Sequence, residues 1–223
     1  MNVQITRSNL ILRVLISFIG FFIIAIGVVA NLYATIGTGP WGVLHVGLAD
    51  ITPFTLGQVS QIVGLVIVIA VWFIGLAPGF GTIANMIAIG FFIDGIIIWN
   101  IIPTQTQIMW QIIQLIFSII ILGGGAFLYF RAQLGVGPRD GLMVSLATKF
   151  NRPISHVRIL IDVTVVVLGF LLGGPLGIGT VISALTLGYS IQFFLKLGKF
   201  HKPSEQLSLL GFYNILKRKK QQC

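Results

Sequence analysis

The sequence predicts an all-α protein that crosses a membrane about six times and adds two short re-entrant helices in a tandem, inverted 3+3 repeat. Three observations predict this class. Of the 223 residues, 56% are hydrophobic and 9% are charged, whereas about a quarter of a soluble domain is charged. No Lys or Arg occurs between Val14 and Phe130. Glycine and proline patterns of the first half recur in the second half.

Six apolar segments are long enough to span a hydrocarbon core of about 30 Å, which takes roughly 20 helical residues. Helices are predicted because an unpaired backbone group in lipid costs several kcal/mol. A β-barrel is not expected, since the apolar runs do not alternate with polar residues. The first segment is longer than a signal-peptide core and is interpreted as a retained span. The predicted spans are residues 11–34, 56–76, 81–101, 108–130, 154–173 and 177–197.

Two shorter apolar segments, 40–49 and 138–147, follow the first and fourth spans. Each has about ten residues and would reach about 15 Å as a helix, which is half a membrane. Each begins with Gly-x-Gly-Pro, and Pro suits the first helical position because its missing N–H is not needed there. We therefore predict two short re-entrant helices.

A shift of 98 residues aligns the two halves without a gap. The Gly-x-Gly-Pro motif at 37–40 aligns with 135–138, and the Gly-x-Gly-Thr motif at 79–82 aligns with 177–180. In the second motif, glycines permit a tight turn between helices, and the Thr hydroxyl can cap the helix that follows. We predict a first membrane repeat at 1–98, a second at 99–198, and a basic amphipathic cytoplasmic tail at 199–223, with a disordered basic end as the alternative for the tail.

The orientation of the second repeat depends on whether the short segments cross the membrane. If they do not cross, the repeats are inverted, and all fourteen Lys and Arg lie at or near the cytoplasmic face, as the positive-inside rule expects. If both cross, Arg131 and Arg139 move outside. The segment lengths and the charges favour the first arrangement, with both termini cytoplasmic. The net charge of +9 then reflects topology and contact with anionic lipid headgroups; nucleic-acid binding is not expected.

The two Gly-x-Gly-Pro segments are the main candidates for a substrate site. Re-entrant backbone persists in a membrane only where it is buried in protein or lines water, and a half-helix presents free N–H groups and a partial positive charge at its start. Two inverted copies bring two such ends together, as in transporters; the alternative is that Gly and Pro only allow tight packing. The predicted substrate-binding residues here are Gly39, Pro40, Trp41, His45, Gly137, Pro138, Arg139 and Asp140.

Three further features of the charged residues bear on function. Asp94 lies in an apolar span and is added to the site as a proton- or cation-coupling candidate; the alternative is a carboxylate near the outer interface. Arg139 at a cavity would bind an anion in a bidentate way, while Asp140 suits a helix N-terminus. Asp162 follows Arg158 by four residues, which predicts an ion pair on one helix face.

No enzyme, metal site or cofactor is expected. His45 and His156 have no second ligand at metal-binding spacing, and Cys223 is the single cysteine. No nucleophile elbow or phosphate-binding loop is present in the sequence.

The ordered motifs from residues 12 to 197 resemble the bacterial YczE/YyaS/YitT family. They are Gly37-Thr38-Gly39-Pro40-Trp41, His45-Val46-Gly47-Leu48, Thr55-Leu56-Gly57-Gln58, and Gly81-Thr82-Ile83-Ala84-Asn85 leading to Asp94. The resemblance implies a multi-pass protein of the cytoplasmic membrane and supplies no substrate. The family's first motif carries an acid after the Trp, whereas this chain has Gly42 there and an acid only in the second copy, as Asp140.

Together these patterns predict a small-solute transporter or permease of unknown substrate. The alternative is a non-transporting accessory or scaffold protein that assists another membrane enzyme or complex. The expected partners are the lipid bilayer, with anionic headgroups at the basic tail, and a small solute. A homo-oligomer or a membrane-protein partner is left open.

Overall fold

The computed structural model describes residues 7–75 and 77–199, which form eight α-helices and no strand. Six of the helices are long and apolar enough to cross a membrane, and two are short, so the predicted class is confirmed. Observed and predicted helix ends differ by at most four residues. The predicted tail beyond Lys199 lies outside the described residues. The helices are α1 (Arg7–Tyr33), α2 (Pro40–Ile51), α3 (Leu56–Ile74), α4 (Phe80–Ile98), α5 (Ile108–Ala132), α6 (Pro138–Lys149), α7 (Ile154–Leu171) and α8 (Ile178–Leu197).

Helices α1 and α5 form the centre of the bundle and run antiparallel. Arg13, early in α1, donates to the carbonyl oxygen of Ala132 at the end of α5 over 3.0 Å. Asn31, late in α1, donates to Ser118, which lies in the first half of α5. The helices approach closely because a Cβ at Gly20 would lie only 2.9 Å from the carbonyl oxygen of Gly125. Small residues at such crossings allow tight packing between membrane helices.

Each central helix carries a parallel neighbour from its own half of the chain. Ala25 and Val29 of α1 pack with Ile93 and Ile96 of α4. In the second half, Ser190 of α8 donates to the carbonyl oxygen of Ile119 in α5 over 2.9 Å. Because α1 and α5 are antiparallel, the two sets of helices run in opposite directions. The starts of α2, α3 and α4 precede those of α6, α7 and α8 by 98 residues, which is the predicted shift.

The short helices pack on the opposite half. Helix α2 lies along α7, where a Cβ at Gly169 would come within 2.6 Å of the Cα of Leu44, and α6 lies along α3. Each short helix has twelve residues, or about 18 Å of length, which is well short of a crossing. The short helices thereby link the two halves into one bundle.

The loops that precede the short helices are bound by helix starts of the opposite half. The carbonyl oxygen of Ile36 accepts a hydrogen bond from Gly179 N–H, and that of Leu134 accepts one from Gly81 N–H, each over 2.7 Å. The predicted Thr cap is confirmed, since Thr82 Oγ1 accepts from Gly79 N–H over 3.1 Å. The same hydroxyl donates to the carbonyl oxygen of Val136. The Gly-x-Gly-Thr motifs therefore hold the Gly-x-Gly-Pro loops, a contact that the sequence did not predict.

The two halves differ at one helix pair. Helix α3 packs along α4, and a Cβ at Gly64 would lie 2.8 Å from Met86 Cγ. The equivalent helices α7 and α8 barely approach each other through their backbones. At the positions of Ser60 and Gly64, α7 carries Arg158 and Asp162, whose larger side chains occupy the space between the helices.

We expect Gly37→Ala to lower the thermal unfolding midpoint of the detergent-solubilised protein more than Gly75→Ala does. Both glycines have positive φ, of 102° and 106°, so both substitutions introduce a similar backbone strain of roughly 1 kcal/mol. Only at Gly37 would the new Cβ also clash, 2.7 Å from the backbone nitrogen of Gly177; nothing lies within 4 Å at Gly75. Equal midpoints would show that the loop-to-helix contact contributes little to stability.

Candidate functional site

A cavity of about 220 Å³ lies at the centre of the bundle, between the first turns of α2 and α6. All eight helices contribute to its wall. Apolar side chains form much of the wall, but the polar and charged residues are grouped near the two short helices. These are Asn31, Thr38, Trp41, His45, Ser60, Asn85, Tyr129, Arg139, Asp140, Arg158, Asp162 and Ser183.

The structure brings eight of the nine predicted site residues together at this cavity. They come from the two Gly-x-Gly-Pro motifs and the helix turns that follow: Gly39, Pro40, Trp41, His45, Gly137, Pro138, Arg139 and Asp140. The paired Gly-x-Gly-Pro pattern predicts two helix starts that face one another, and the starts of α2 and α6 meet at this cavity.

Asp94 does not line the cavity. It lies near the end of α4, where its Oδ1 accepts a hydrogen bond from Gly57 N–H over 2.8 Å and its Oδ2 accepts one from Thr55 Oγ1 over 2.6 Å. A carboxylate beside the first turn of a helix offsets the partial positive charge there. These contacts connect α4 to the start of α3, which favours the alternative of a carboxylate near the membrane interface.

Asn31 positions the loop that leads into α2. Its Oδ1 accepts hydrogen bonds from Thr38 Oγ1 over 3.0 Å and from Gly39 N–H over 2.8 Å. Its Nδ2 donates to Ser118 over 2.9 Å and to Ser183 over 3.1 Å. A buried side-chain amide with two donors and two acceptors is thus fully used, and the start of α2 is held at a defined depth.

Tyr129 occupies the equivalent place in the second half, 98 residues after Asn31. It is buried, and its hydroxyl donates to Asp140 Oδ2. The ring packs against Phe130, with centroids 4.3 Å apart. Asp140 lies in the first turn of α6, where a negative charge stabilises the helix. This pair holds the start of α6 as Asn31 holds the start of α2.

Arg139 extends from α6 to α2. Its Cζ lies 4.9 Å from the ring centroid of Trp41, within the range of a cation–π contact. Its Nη2 lies 3.4 Å from both ring nitrogens of His45, and the His45 side chain is buried. One guanidinium therefore spans the interval between the two half-helix starts.

The predicted ion pair between Arg158 and Asp162 is confirmed, with Nε and Oδ2 3.6 Å apart. Its position differs from a simple anchor at the helix end, because both side chains line the cavity. The Trp41 side chain also lies close to Asp162. Among residues 7–75 and 77–199 this is the single ion pair, so no described carboxylate lies within 4.0 Å of the Arg139 guanidinium.

Four polar residues of the cavity wall lie outside the motifs that predicted the site: Asn31, Tyr129, Asn85 and Ser183. A signal was available, since the 98-residue shift aligns Asn31 with Tyr129 and Asn85 with Ser183, which are polar residues at matching depths of apolar spans. No group of three His, Cys, Asp or Glu that could hold a metal is found in the part of the chain that the structure describes.

Comparisons with known proteins give relatives over most of the chain. The family described as "Family of unknown function (DUF6198)" matches residues 11–196. An "Uncharacterized protein" of Haemophilus influenzae is 37% identical over 162 residues, which cover 73% of each chain.

Two Bacillus subtilis proteins also match. The "Uncharacterized membrane protein YczE" is 33% identical over 192 residues, which cover 85% of this chain and 88% of its own. The "Uncharacterized protein YyaS" is 24% identical and covers 82% and 92%. The resemblance to the YczE and YyaS proteins, inferred from the motifs, is confirmed. No solved structure matches.

We expect Asp94→Asn to lower the unfolding midpoint while leaving the cavity intact. The substitution removes at least one charge-assisted hydrogen bond, a loss of roughly 1–3 kcal/mol. Asp50→Asn, at an exposed acid near the end of α2, is the matched control and should change the midpoint little. A folded Asp94→Asn protein with an unchanged midpoint and no solute uptake would restore the coupling role predicted from the sequence.

Proposed function

This chain belongs to the family DUF6198, and we propose that it transports a small solute across a bacterial cytoplasmic membrane through the cavity between α2 and α6. The observation that supports this most directly is the meeting of two half-helix starts at one polar cavity inside an apolar bundle. Discontinuous helices of opposite direction that meet at a central cavity are the usual construction of a transporter substrate site.

The free-energy cost of placing ionisable side chains inside an apolar bundle supports a functional role for the cavity. Ionisable side chains inside a membrane bundle are costly unless paired, and they usually mark a substrate or ion pathway. Here Arg139, Asp140, Arg158 and Asp162 all face one space. Packing alone would be served better by apolar residues, as at the α3–α4 contact through Gly64 and Met86. A cavity with a few converging polar groups is the common form of a small-molecule site.

The gap between α7 and α8 supports passage to and from the cavity. Arg158 and Asp162 of α7 and Ala184 and Leu187 of α8 line the same space. The Arg158 side chain reaches across, because a Cβ at Gly188 would lie 2.9 Å from its Nη1. We propose that movement of α7 relative to α8, with the Arg158 side chain between them, controls access to the bound solute.

The distribution of charge supports a cytoplasmic location for the face where α1 begins. The described basic residues outside the cavity lie toward this face, while Asp50 and Asp94 lie toward the opposite one, which fits the positive-inside rule. The basic residues are Arg13, Arg131, Lys149, Arg152, Lys196 and Lys199. We infer that the N-terminus and the end of α8 face the cytoplasm.

An accessory role is the second candidate. Lys149, the last residue of α6, and Arg152, in the turn before α7, are exposed and could bind an acidic segment of a partner protein. Under this alternative, charge reversal at these two positions would abolish co-purification of one fixed partner, and Arg139→Gln would leave the cellular role unchanged. No enzymatic step is proposed.

We expect the purified chain in proteoliposomes to accumulate at least one solute from a panel of small metabolites, and a thiol placed in the cavity to control that flux. In a Cys223→Ser background, which has no native thiol, Ser60→Cys modified by a methanethiosulfonate reagent should lose uptake, because the adduct fills the cavity. Thr148→Cys, exposed near the end of α6, is the control and should retain uptake after modification. No flux of any solute, or equal inhibition at both positions, would contradict the proposal.

A further inference from the structure

We propose that the solute is a small organic monoanion whose carboxylate binds Arg139 beside the first turn of α2. This inference rests on the proposed role of the cavity as a solute site and adds the chemical class of the solute. It is carried by the pattern of charge pairing around the cavity, by the difference between the two half-helix starts, and by the size and lining of the space.

The two carboxylates of the cavity already have partners within the protein. Asp162 pairs with Arg158, with Oδ2 3.6 Å from Nε. Asp140 accepts a hydrogen bond from Tyr129. Both acids are thereby positioned to hold helices in place and are poorly available to a cationic solute.

Arg139 differs from these groups because its described contacts are with the His45 ring and the Trp41 ring. Neither group is an anion, and no described carboxylate comes within 4.0 Å of the guanidinium. Asp140 and Asp162 act on this charge from a longer range, but neither carboxylate contacts the N–H donors of the guanidinium. A guanidinium whose donors are not taken by a carboxylate of the protein can hold one from a solute through two parallel hydrogen bonds.

The start of α2 adds to the positive field at this place. The first N–H groups of a helix have no partner within the helix, and the aligned peptide dipoles give this end a partial positive charge. Helix α6 offsets that charge with Asp140 in its first turn, whereas α2 has no acid in its first turn and carries Gly42 at the equivalent position. Asp162 of α7 lies near Trp41 but is paired with Arg158. Arg139 also lies against this end of α2, so the guanidinium and the first turn of α2 face the same space.

The cavity dimensions limit the organic part of the anion. A volume of about 220 Å³ exceeds the roughly 150 Å³ of a cavity that holds benzene and is below the roughly 300–1,000 Å³ of pockets for drug-sized ligands, which suits a short aliphatic or a single-ring carboxylate. Ile24, Val28 and Ile89 line the same space and would contact the apolar portion. These walls favour an organic carboxylate over inorganic phosphate, which offers no apolar surface.

Binding can be measured through Trp41, whose ring lies under the Arg139 guanidinium. The other three tryptophans, Trp72, Trp99 and Trp110, are 66%, 73% and 54% exposed, so their replacement by Phe leaves Trp41 as the single indole of the full-length chain. The probes are matched pairs: acetate with acetamide, butanoate with butanamide, and benzoate with benzamide. Butylammonium and inorganic phosphate complete the set.

We expect the carboxylates to change Trp41 fluorescence saturably and the amides, butylammonium and phosphate to have little effect at the same concentrations. Arg139→Gln should weaken carboxylate binding about ten- to hundredfold, as expected for loss of a charged hydrogen-bonding partner. The carboxylate affinity of Arg139→Lys should lie between those of the parent and Arg139→Gln, because Lys keeps the charge but lacks the planar guanidinium that binds a carboxylate through two hydrogen bonds. Arg131→Gln is the matched control, since Arg131 is exposed over Phe127 outside the cavity; it should bind as the parent does.

Equal binding of amides and carboxylates, preference for butylammonium, or no binding of any carboxylate would overturn the inference. Tight carboxylate binding by a folded Arg139→Gln protein, checked by size-exclusion chromatography, would overturn it as well. If that variant does not fold, the carboxylate affinities of Arg139→Lys and Arg131→Gln are compared instead, and equal affinities would overturn the inference. Binding of phosphate alone would remove the organic carboxylate as the solute.

Proteoliposome flux separates this inference from the proposed function. Uptake of a neutral or cationic solute without carboxylate binding would overturn the anion class and leave transport standing. Carboxylate binding without any flux would overturn transport and leave the anion site standing. Carboxylate uptake that is lost in Arg139→Gln and retained in Arg131→Gln would support both.

Discussion

The structure depends on how this chain satisfies irregular backbone inside an apolar bundle. The loops before α2 and α6 leave the helical hydrogen-bonding pattern within the bundle, where backbone groups that no water reaches need partners from the protein. Their carbonyl groups at Ile36 and Leu134 are met by N–H groups of Gly179 and Gly81, which are themselves free because they lie at helix starts. Each half therefore satisfies the loop of the other. Neither half could bury its re-entrant segment in this way alone.

This exchange also explains where the cavity lies. Each short helix begins at a loop that is hydrogen-bonded to the opposite half, so the starts of α2 and α6 both lie at the centre of the bundle. From there the two helices run toward opposite faces of the bundle. Asn31 and Tyr129 then fix the depth of each start through side chains at equivalent positions. The space that remains between the two starts cannot be filled by the short helices themselves, and polar side chains from all eight helices reach it.

Function in our proposal comes from the positions at which the two halves differ. Trp41 of α2 and Arg139 of α6 occupy equivalent positions of the two halves, but one is an aromatic ring and the other a cation, and they contact each other. The next residues differ in the same way, since Gly42 is equivalent to Asp140. Ser60 and Gly64 allow α3 to close on α4, whereas Arg158 and Asp162 keep α7 from α8. The shared framework builds a central space, and these substitutions make it charged, asymmetric and open on one side.

Length, apolarity and Gly-Pro chemistry act locally along the chain, so they were enough to predict the six spans, the two short helices with their Pro starts, and eight candidate residues that meet at the cavity. The position of Asp94 beside the start of α3, and the hydrogen bonds from the Gly-x-Gly-Thr turns to the opposite loops, follow from the folded arrangement of the helices. The tertiary structure also revealed Asn31 and Tyr129 as the residues that hold the half-helices. These outcomes depend on which groups from distant helices satisfy one another's hydrogen bonds and charges, and a one-dimensional pattern carries that information only where equivalent positions of a repeat can be compared.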